Sequence, residues 1–257
     1  MPTAEVNGVN LSFTDTGDGE AVVFSHGILM DQSMFDAQVA ALSPEYRVIT
    51  WDERAHGGTA ATGPFSYWDS AKDVLGLLDH LGIESAVLAG MSQGGFLSLR
   101  AALLAPERVR GLVLIDTQAG LEDPANAESY QQLHEIWMAE GPEPVQEIVS
   151  AIILGPGDWG DWYAKWAGAD RDQFSLAFAT LMERDDLTPR LGEISAPALI
   201  VHGTADAAIP MERAEHVRDG LAGEVSFAVI EGGTHAANVS HPDAVNDAIL
   251  NFLRTLD

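Results

Sequence analysis

The sequence predicts an α/β protein with a mostly parallel central sheet flanked by helices and an inserted helical cap. Three observations predict it. Short runs of Val, Ile and Leu alternate with longer amphipathic stretches, as when strands and helices take turns around a sheet buried on both faces. Segment 117–190 interrupts that alternation with helical patterns and no strand run, although a strand-to-helix connection needs only a short loop. Finally, a glycine-flanked serine stands where the strand run SAVLAG gives way to the helical run FLSLRAALLA.

Taken in chain order, residues 4–7 and 9–15 read as a hairpin across Asn7-Gly8, a pair that accepts the positive φ of a tight turn. The runs at 21–25 (AVVFS), 46–51 (YRVITW), 85–90, 109–115 (VRGLVLI), 197–202 (PALIVH) and 225–230 (VSFAVI) are strands by length and β-branched content. Helical patterns fit 33–42, 67–81, 93–105, 211–221 and 242–255. Residues 1–116 and 191–257 are therefore expected to form the core domain and 117–190 the cap. The cap carries Trp137, Trp159, Trp162 and Trp166, four of the six tryptophans. Rings at a domain junction both fasten the cap and line a pocket, so these four, with Leu29 from the loop after 21–25, are the expected pocket residues.

Composition removes several function classes. The 257 residues are 46% hydrophobic, enough for a full core. Lys and Arg number 13 against 39 Asp and Glu, a net charge of −26 that repels polyphosphate and anionic lipid. Nucleic-acid and membrane partners are not expected. There is no cysteine, hence no disulfide, thiolate metal site or cysteine nucleophile. The first residues lack the pattern of a secretion signal and no apolar run approaches a membrane span, so a cytoplasmic location is expected. Assembly into a homo-oligomer is compatible with the sequence.

The chemistry concentrates at Gly90-Met91-Ser92-Gln93-Gly94, a G-x-S-x-G pattern in a strand-turn-helix context. Such a sharp turn strains the serine backbone and tolerates no side chain two residues before or after it. It also leaves the first amides of the following helix unpaired, so the Gln93 N–H is a candidate oxyanion donor. A serine hydroxyl needs a base, and the base needs a carboxylate to hold its tautomer. His235, in a Gly-Gly-Thr-His turn after the last strand, fits better than His134, His202, His216 or His241. Asp206 follows strand 197–202 at its carboxyl end, where open α/β sheets place their sites. Asp116, ending strand 109–115, is the alternative acid. The Ile28 amide, after His26-Gly27, is the second oxyanion candidate, and the polar run 52–57 reads as a buried loop network.

The motifs HGI at 26–28, DERAHG at 52–57, GMSQGG at 90–95, APERV at 105–109, GTAD at 203–206 and GGTH at 232–235 resemble those of the α/β-hydrolase fold superfamily, in order and spacing. DQSMFDAQVAAL at 31–42 and DVLGLLDHLGIESAVLAGMSQGG at 73–95 are most similar to small carboxylesterases, enol-lactonases and cofactor-free perhydrolases. The resemblance covers the chain except the cap. It implies Ser92 as nucleophile, His235 as base, Asp206 as acid and Ile28 and Gln93 as the oxyanion pair, with neither cofactor nor metal. Ala55 stands where the family usually has Gly, and Gln93 where Met is commoner.

A serine at this turn excludes the branches that need an aspartate nucleophile. The reading that follows is hydrolysis of small neutral apolar or aryl carboxylic esters, because residues 121–190 hold 14 acidic against 4 basic residues and offer no obvious grip on a substrate carboxylate. Lactonase or enol-lactonase activity, C–C bond hydrolysis, a perhydrolase side activity and a non-enzymatic ligand receptor of the same fold are the alternatives.

Overall fold

The computed structural model describes residues 1–256. Its strands are β1 (Thr3–Val6), β2 (Val9–Thr16), β3 (Ala21–Ser25), β4 (Arg47–Trp51), β5 (Ala86–Met91), β6 (Val109–Ile115), β7 (Ala198–Gly203) and β8 (Val225–Ile230). Each expected strand run forms a strand, with ends displaced by at most one residue. The helices are α1 (Asp36–Leu42), α2 (Tyr67–His80), α3 (Gln93–Leu104), α4 (Pro124–Glu140), α5 (Gln146–Ile153), α6 (Gly160–Gly168), α7 (Arg171–Met182), α8 (Met211–Gly220), α9 (Ala237–Ser240) and α10 (Pro242–Leu253). Four of them, α4 to α7, lie between β6 and β7.

One helix differs at its start from the expected span. Residues Gln32–Phe35 form a 3-10 turn before α1 becomes α-helical at Asp36. The Asp31 carboxylate accepts from both the amide and the hydroxyl of Ser33, at 2.9 and 2.6 Å, which tightens that first turn.

The strands order as β1-β2-β4-β3-β5-β6-β7-β8, antiparallel at β1/β2 and β2/β4 and parallel from β4 to β8. Every residue of β3, β5 and β7 is buried, which is why these strands read as continuous apolar runs. Successive side chains pass to opposite faces. Leu88, Leu112, Leu114 and Ile200 join Leu77, Leu97 and Val217 from α2, α3 and α8 in one apolar layer. Val87, Ala89, Val113, Leu199 and Val201 join Leu42, Ile249 and Phe252 from α1 and α10 in the other. The parallel register sets Ser25 beside Gly90, Met91 beside Ile115, and Ile115 beside Val201. The loops leaving these strands therefore emerge at one edge of the sheet.

The polar run 52–57 is indeed a buried network. Asp52, 1% exposed, accepts from the Gln32 amide (2.9 Å), the Gln32 side-chain amide (3.0 Å) and the Gly58 amide (2.8 Å), tying the loop after β4 to the segment after β3. Asp52→Ala is expected to leave the buried Gln32 amide unpaired and the Gln32 side-chain nitrogen with Ser12 Oγ alone, at roughly 1–3 kcal/mol for a buried donor before relaxation. A net loss of about 2 kcal/mol lowers Tm by roughly 4–8 °C in a domain of this size, which scanning calorimetry reads directly. An unchanged Tm would mean that the loops do not depend on Asp52.

Candidate active site

Ser92 sits between β5 and α3 at φ 52° and ψ −115°, a region that non-glycine residues seldom occupy. The surroundings impose it. A Cβ on Gly90 would collide with the backbone of Gly94 and Gly95, and one on Gly94 with the carbonyl of Ser25 in β3. The turn is pinned by the Ser92 amide, which donates to the Ile115 carbonyl at 2.9 Å, and by the Thr117 hydroxyl, which donates to the Ser92 carbonyl at 2.7 Å. Strain of this kind persists only where neighbours over-determine the backbone.

Two loops from distant parts of the chain reach this serine. The Ser92 hydroxyl lies 3.0 Å from His235 Nε2, and His235 Nδ1 lies 2.9 Å from Asp206 Oδ2. A carboxylate only accepts, so Nδ1 carries the hydrogen and donates to Asp206, leaving Nε2 to accept from the serine. The other oxygen of Asp206 accepts from the amides of Ala208 and Ile209, at 2.8 and 2.9 Å. Burial alone would raise the Asp206 carboxyl, but the charge and hydrogen bond of His235, with those two amides, bring it below its usual value. Burial pulls His235 down, yet the Asp206 charge and hydrogen bond outweigh it, with Asp116 and Glu122 adding to them, and the imidazole ends above its usual value.

Asp116 does not bond the histidine. Its two oxygens accept from the amides of Gly203, at the end of β7, and of Ala237, two residues after His235, at 2.8 and 3.1 Å. It braces the roots of the loops that carry Asp206 and His235, and burial with the nearby Asp206 charge raises its carboxyl well above the usual range. His202 donates through Nε2 to the Ile209 carbonyl (3.0 Å) and is fully buried. His26 also serves the backbone: Nδ1 donates to the Gly27 carbonyl and Nε2 accepts from the Glu53 amide, at 2.8 and 2.9 Å.

Among the described residues, the amides of Ile28 and Gln93 donate to no protein atom. The Gln93 amide opens α3, where a helix leaves its first N–H groups unpaired and its dipole favours negative charge. The Gln93 side chain is buried, with its oxygen accepting from the Tyr67 hydroxyl at 3.1 Å. Ala55 adopts φ 66°, which accounts for the usual glycine at that place in the family motif.

A largely apolar cavity opens over Ser92 and His235. Leu29 and Trp137, both expected there, line it, as do Phe174 and Phe178 of α7. Trp159, Trp162 and Trp166 do not. The Trp159 indole donates to the Gly155 carbonyl (2.8 Å) and that of Trp166 to the Leu29 carbonyl (2.7 Å). Trp162 lies under the Lys165 ammonium at 4.2 Å and, with Trp166, borders a separate cleft beside His56. Trp166 of α6 thus fastens the inserted helices to the loop after β3, whereas the Trp159 bond stays within the insertion. Sequence reasoning missed Glu122, Tyr130 and His134, which also line the cavity. Tyr130, Leu133, His134 and Trp137 recur at helical spacing along α4, a signal that marks a buried face without saying what it faces.

A family model described as alpha/beta hydrolase fold matches residues 20–158, more than half of the chain. The chain belongs to the α/β-hydrolase family. A second model, described as TAP-like protein, matches residues 180–257 of this hydrolase. Among curated proteins it is 28% identical to RutD of Azorhizobium caulinodans, whose carbamate hydrolase designation is provisional, with all of both chains covered. It is 26% identical to 3-oxoadipate enol-lactonase 2 of Acinetobacter baylyi, over 96% of this chain and 93% of that one. A thermophilic esterase from Thermogutta terrifontis, solved with malate bound, superposes with a TM-score of 0.89 at 28% identity, covering 99% of this chain and 98% of the other. Among the described residues, no helix of this hydrolase is long and apolar enough to cross a membrane.

The arrangement can pass the serine proton to His235, so its pH response follows from the shift of that imidazole. A histidine must be neutral to accept the proton, and a raised pKa means that neutrality is lost early on acidification. The acid limb of kcat/KM is expected to have its midpoint above about 6.5, the ordinary histidine value. A midpoint well below that, measured with an uncharged substrate, would contradict the electrostatics of this site.

Proposed function

We propose that this protein hydrolyses small uncharged carboxylic esters through an acyl-enzyme. Ser92 attacks the ester carbonyl while His235 takes its proton. His235 returns that proton to the leaving alcohol, and a water activated by the same imidazole then releases the acid. Asp206 holds the imidazole tautomer and stabilises the cation, and the Ile28 and Gln93 amides receive the negative charge that develops on the carbonyl oxygen. The observation that carries this reading is the unbroken chain from Ser92 Oγ through His235 to Asp206, at 3.0 and 2.9 Å, beneath a cavity large enough to be lined from α4, α5 and α7.

The cavity supports the preference for uncharged substrates. Its lining includes no Lys or Arg, and burial lowers the pKa of its His134. Arg184, paired with Glu122 of that lining, is 8% exposed and committed elsewhere. It donates to the carbonyls of Gly120 (3.1 Å) and Leu181 (2.7 Å) and to Glu122 (2.8 Å), and packs over the Phe96 ring. Glu122 instead places a negative charge in the cavity wall. Likeness to an enol-lactonase keeps cyclic esters within the same chemistry, since ring opening uses the same attack and proton transfers.

Ser92→Ala is expected to lower kcat by on the order of 10³-fold or more with Tm little changed, and Asp206→Asn to lower it by up to roughly 10⁴-fold through the wrong histidine tautomer. Repeated turnover of a chromogenic acetate or butyrate by Ser92→Ala protein would exclude this serine as nucleophile. A single slow turnover by the native protein would favour a ligand receptor.

For two esters identical but for a distal carboxylate, the neutral one is expected to have the higher kcat/KM. Salt screens exposed charge beyond about 8 Å but a buried charge much less, so high salt should narrow the gap without closing it. Preference for the carboxylated ester at low and high ionic strength would overturn the assignment to uncharged substrates.

A further inference from the structure

Glu122 is an unusual group to find in the wall of an apolar cavity, and its two oxygens are unequally used. Oε1 accepts from both Arg184 Nη2 (2.8 Å) and Gln118 Nε2 (3.0 Å), while Oε2 has no protein partner among the described residues. The side chain is only 10% exposed, so the free oxygen is held in place rather than waving in solvent. Tyr130, half-buried on α4, lines the same cavity, and its hydroxyl has no protein partner among the described residues. The two groups do not hydrogen-bond each other. Burial, with the Glu122 charge adding to it, pushes the tyrosine up to about 12, so it keeps its proton at neutral pH.

We infer that Glu122 and Tyr130 form a specificity subsite for a substrate hydroxyl group, so that the preferred esters carry an alcohol on the part that reaches α4. The inference rests on the ester hydrolase reading above. A carboxylate oxygen only accepts and a phenol can donate, so together they match a group that both donates and accepts. An alcohol does both. A hydrocarbon would bury Glu122 Oε2 and the phenol without partners, which costs binding, and a carboxylate would meet Glu122 as a like charge. An ammonium is the weaker match. It can donate to Glu122 but has no lone pair to receive the tyrosine proton. A site built to hydrogen-bond a hydroxyl discriminates sharply against analogues that lack it, because its own polar groups are left unpaired.

The test compares kcat/KM, by proton release, within two ester pairs: butyl against ω-hydroxybutyl butyrate, and methyl hexanoate against methyl ω-hydroxyhexanoate. These place the hydroxyl on the alcohol and acyl sides in turn. The native protein is expected to favour the hydroxylated member of at least one pair by about tenfold or more, as for a hydrogen bond to a charged group. Glu122→Gln should reduce that ratio by about tenfold and Tyr130→Phe by about threefold. The ratio is the readout because general damage to the fold lowers both members of a pair together. Should Glu122→Gln fail to fold with Arg184 uncompensated, Tyr130→Phe carries the test. Turnover of the plain esters with no hydroxyl preference in either pair, or ratios unchanged in the folded variants, overturns the subsite while leaving the ester hydrolase reading intact. No turnover of any of the four esters overturns that reading and the subsite with it.

Discussion

The constraint on which the rest depends is the close approach of three backbones around Ser92. No side chain fits at Gly90 or Gly94, because the start of α3 packs directly on the end of β5 and on Ser25 of β3. The close packing forces the serine into φ 52°, lifts its side chain above the sheet edge and leaves the Gln93 amide free at the head of a helix. A looser turn would relax the strain and lose the site. The parallel register does the remaining placement, since it brings the ends of β3 and β6 alongside that of β5, and β7 alongside β6, and so delivers the loops with Ile28, Asp116 and Asp206 to the same edge.

Burying several ionisable groups beside one another is costly unless each is paired or hydrogen-bonded. Here the cost is met by backbone amides and by the histidine. Asp206 takes two amides and the imidazole, and Asp116 takes two amides from separate loops. The same bonds that satisfy Asp116 join β7 to the loop after His235, so electrostatic compensation and positioning are one structural feature. His202 completes the layer by donating to Ile209, whose amide is bound by Asp206.

Charge acts differently in the inserted helices. Their acidic excess is mostly solvent-exposed and screened, but Glu122 and Arg184 are withdrawn from water and meet beside the cavity. Arg184 spends its donors on two carbonyls and one carboxylate, so what the cavity presents to a ligand is an oxygen acceptor and a phenol rather than a cation. A count of charges along the chain sees the excess and cannot see this exchange.

By itself the sequence determined the strands, the order of the chemistry along them and the family. Strands buried on both faces must be apolar throughout, so AVVFS, SAVLAG and PALIVH announce themselves without any partner in view. The two glycines around Ser92 are equally legible, because a backbone contact that excludes Cβ atoms can be met by one residue type. The sequence favours Asp206 over Asp116, though both follow strand ends, and it is the path of the loops that brings Asp206 to 2.9 Å from His235. Tertiary structure alone decided what the cavity wall contains. An indole looks the same in sequence whether it lines a pocket, as Trp137 does, or spends its N–H on a carbonyl, as Trp159 and Trp166 do. Glu122 reads as one acid among many until Arg184, 62 residues away, takes one of its oxygens and leaves the other free. Local pattern records what a segment must bury, whereas the identity of what it faces is set by contacts between segments far apart in the chain.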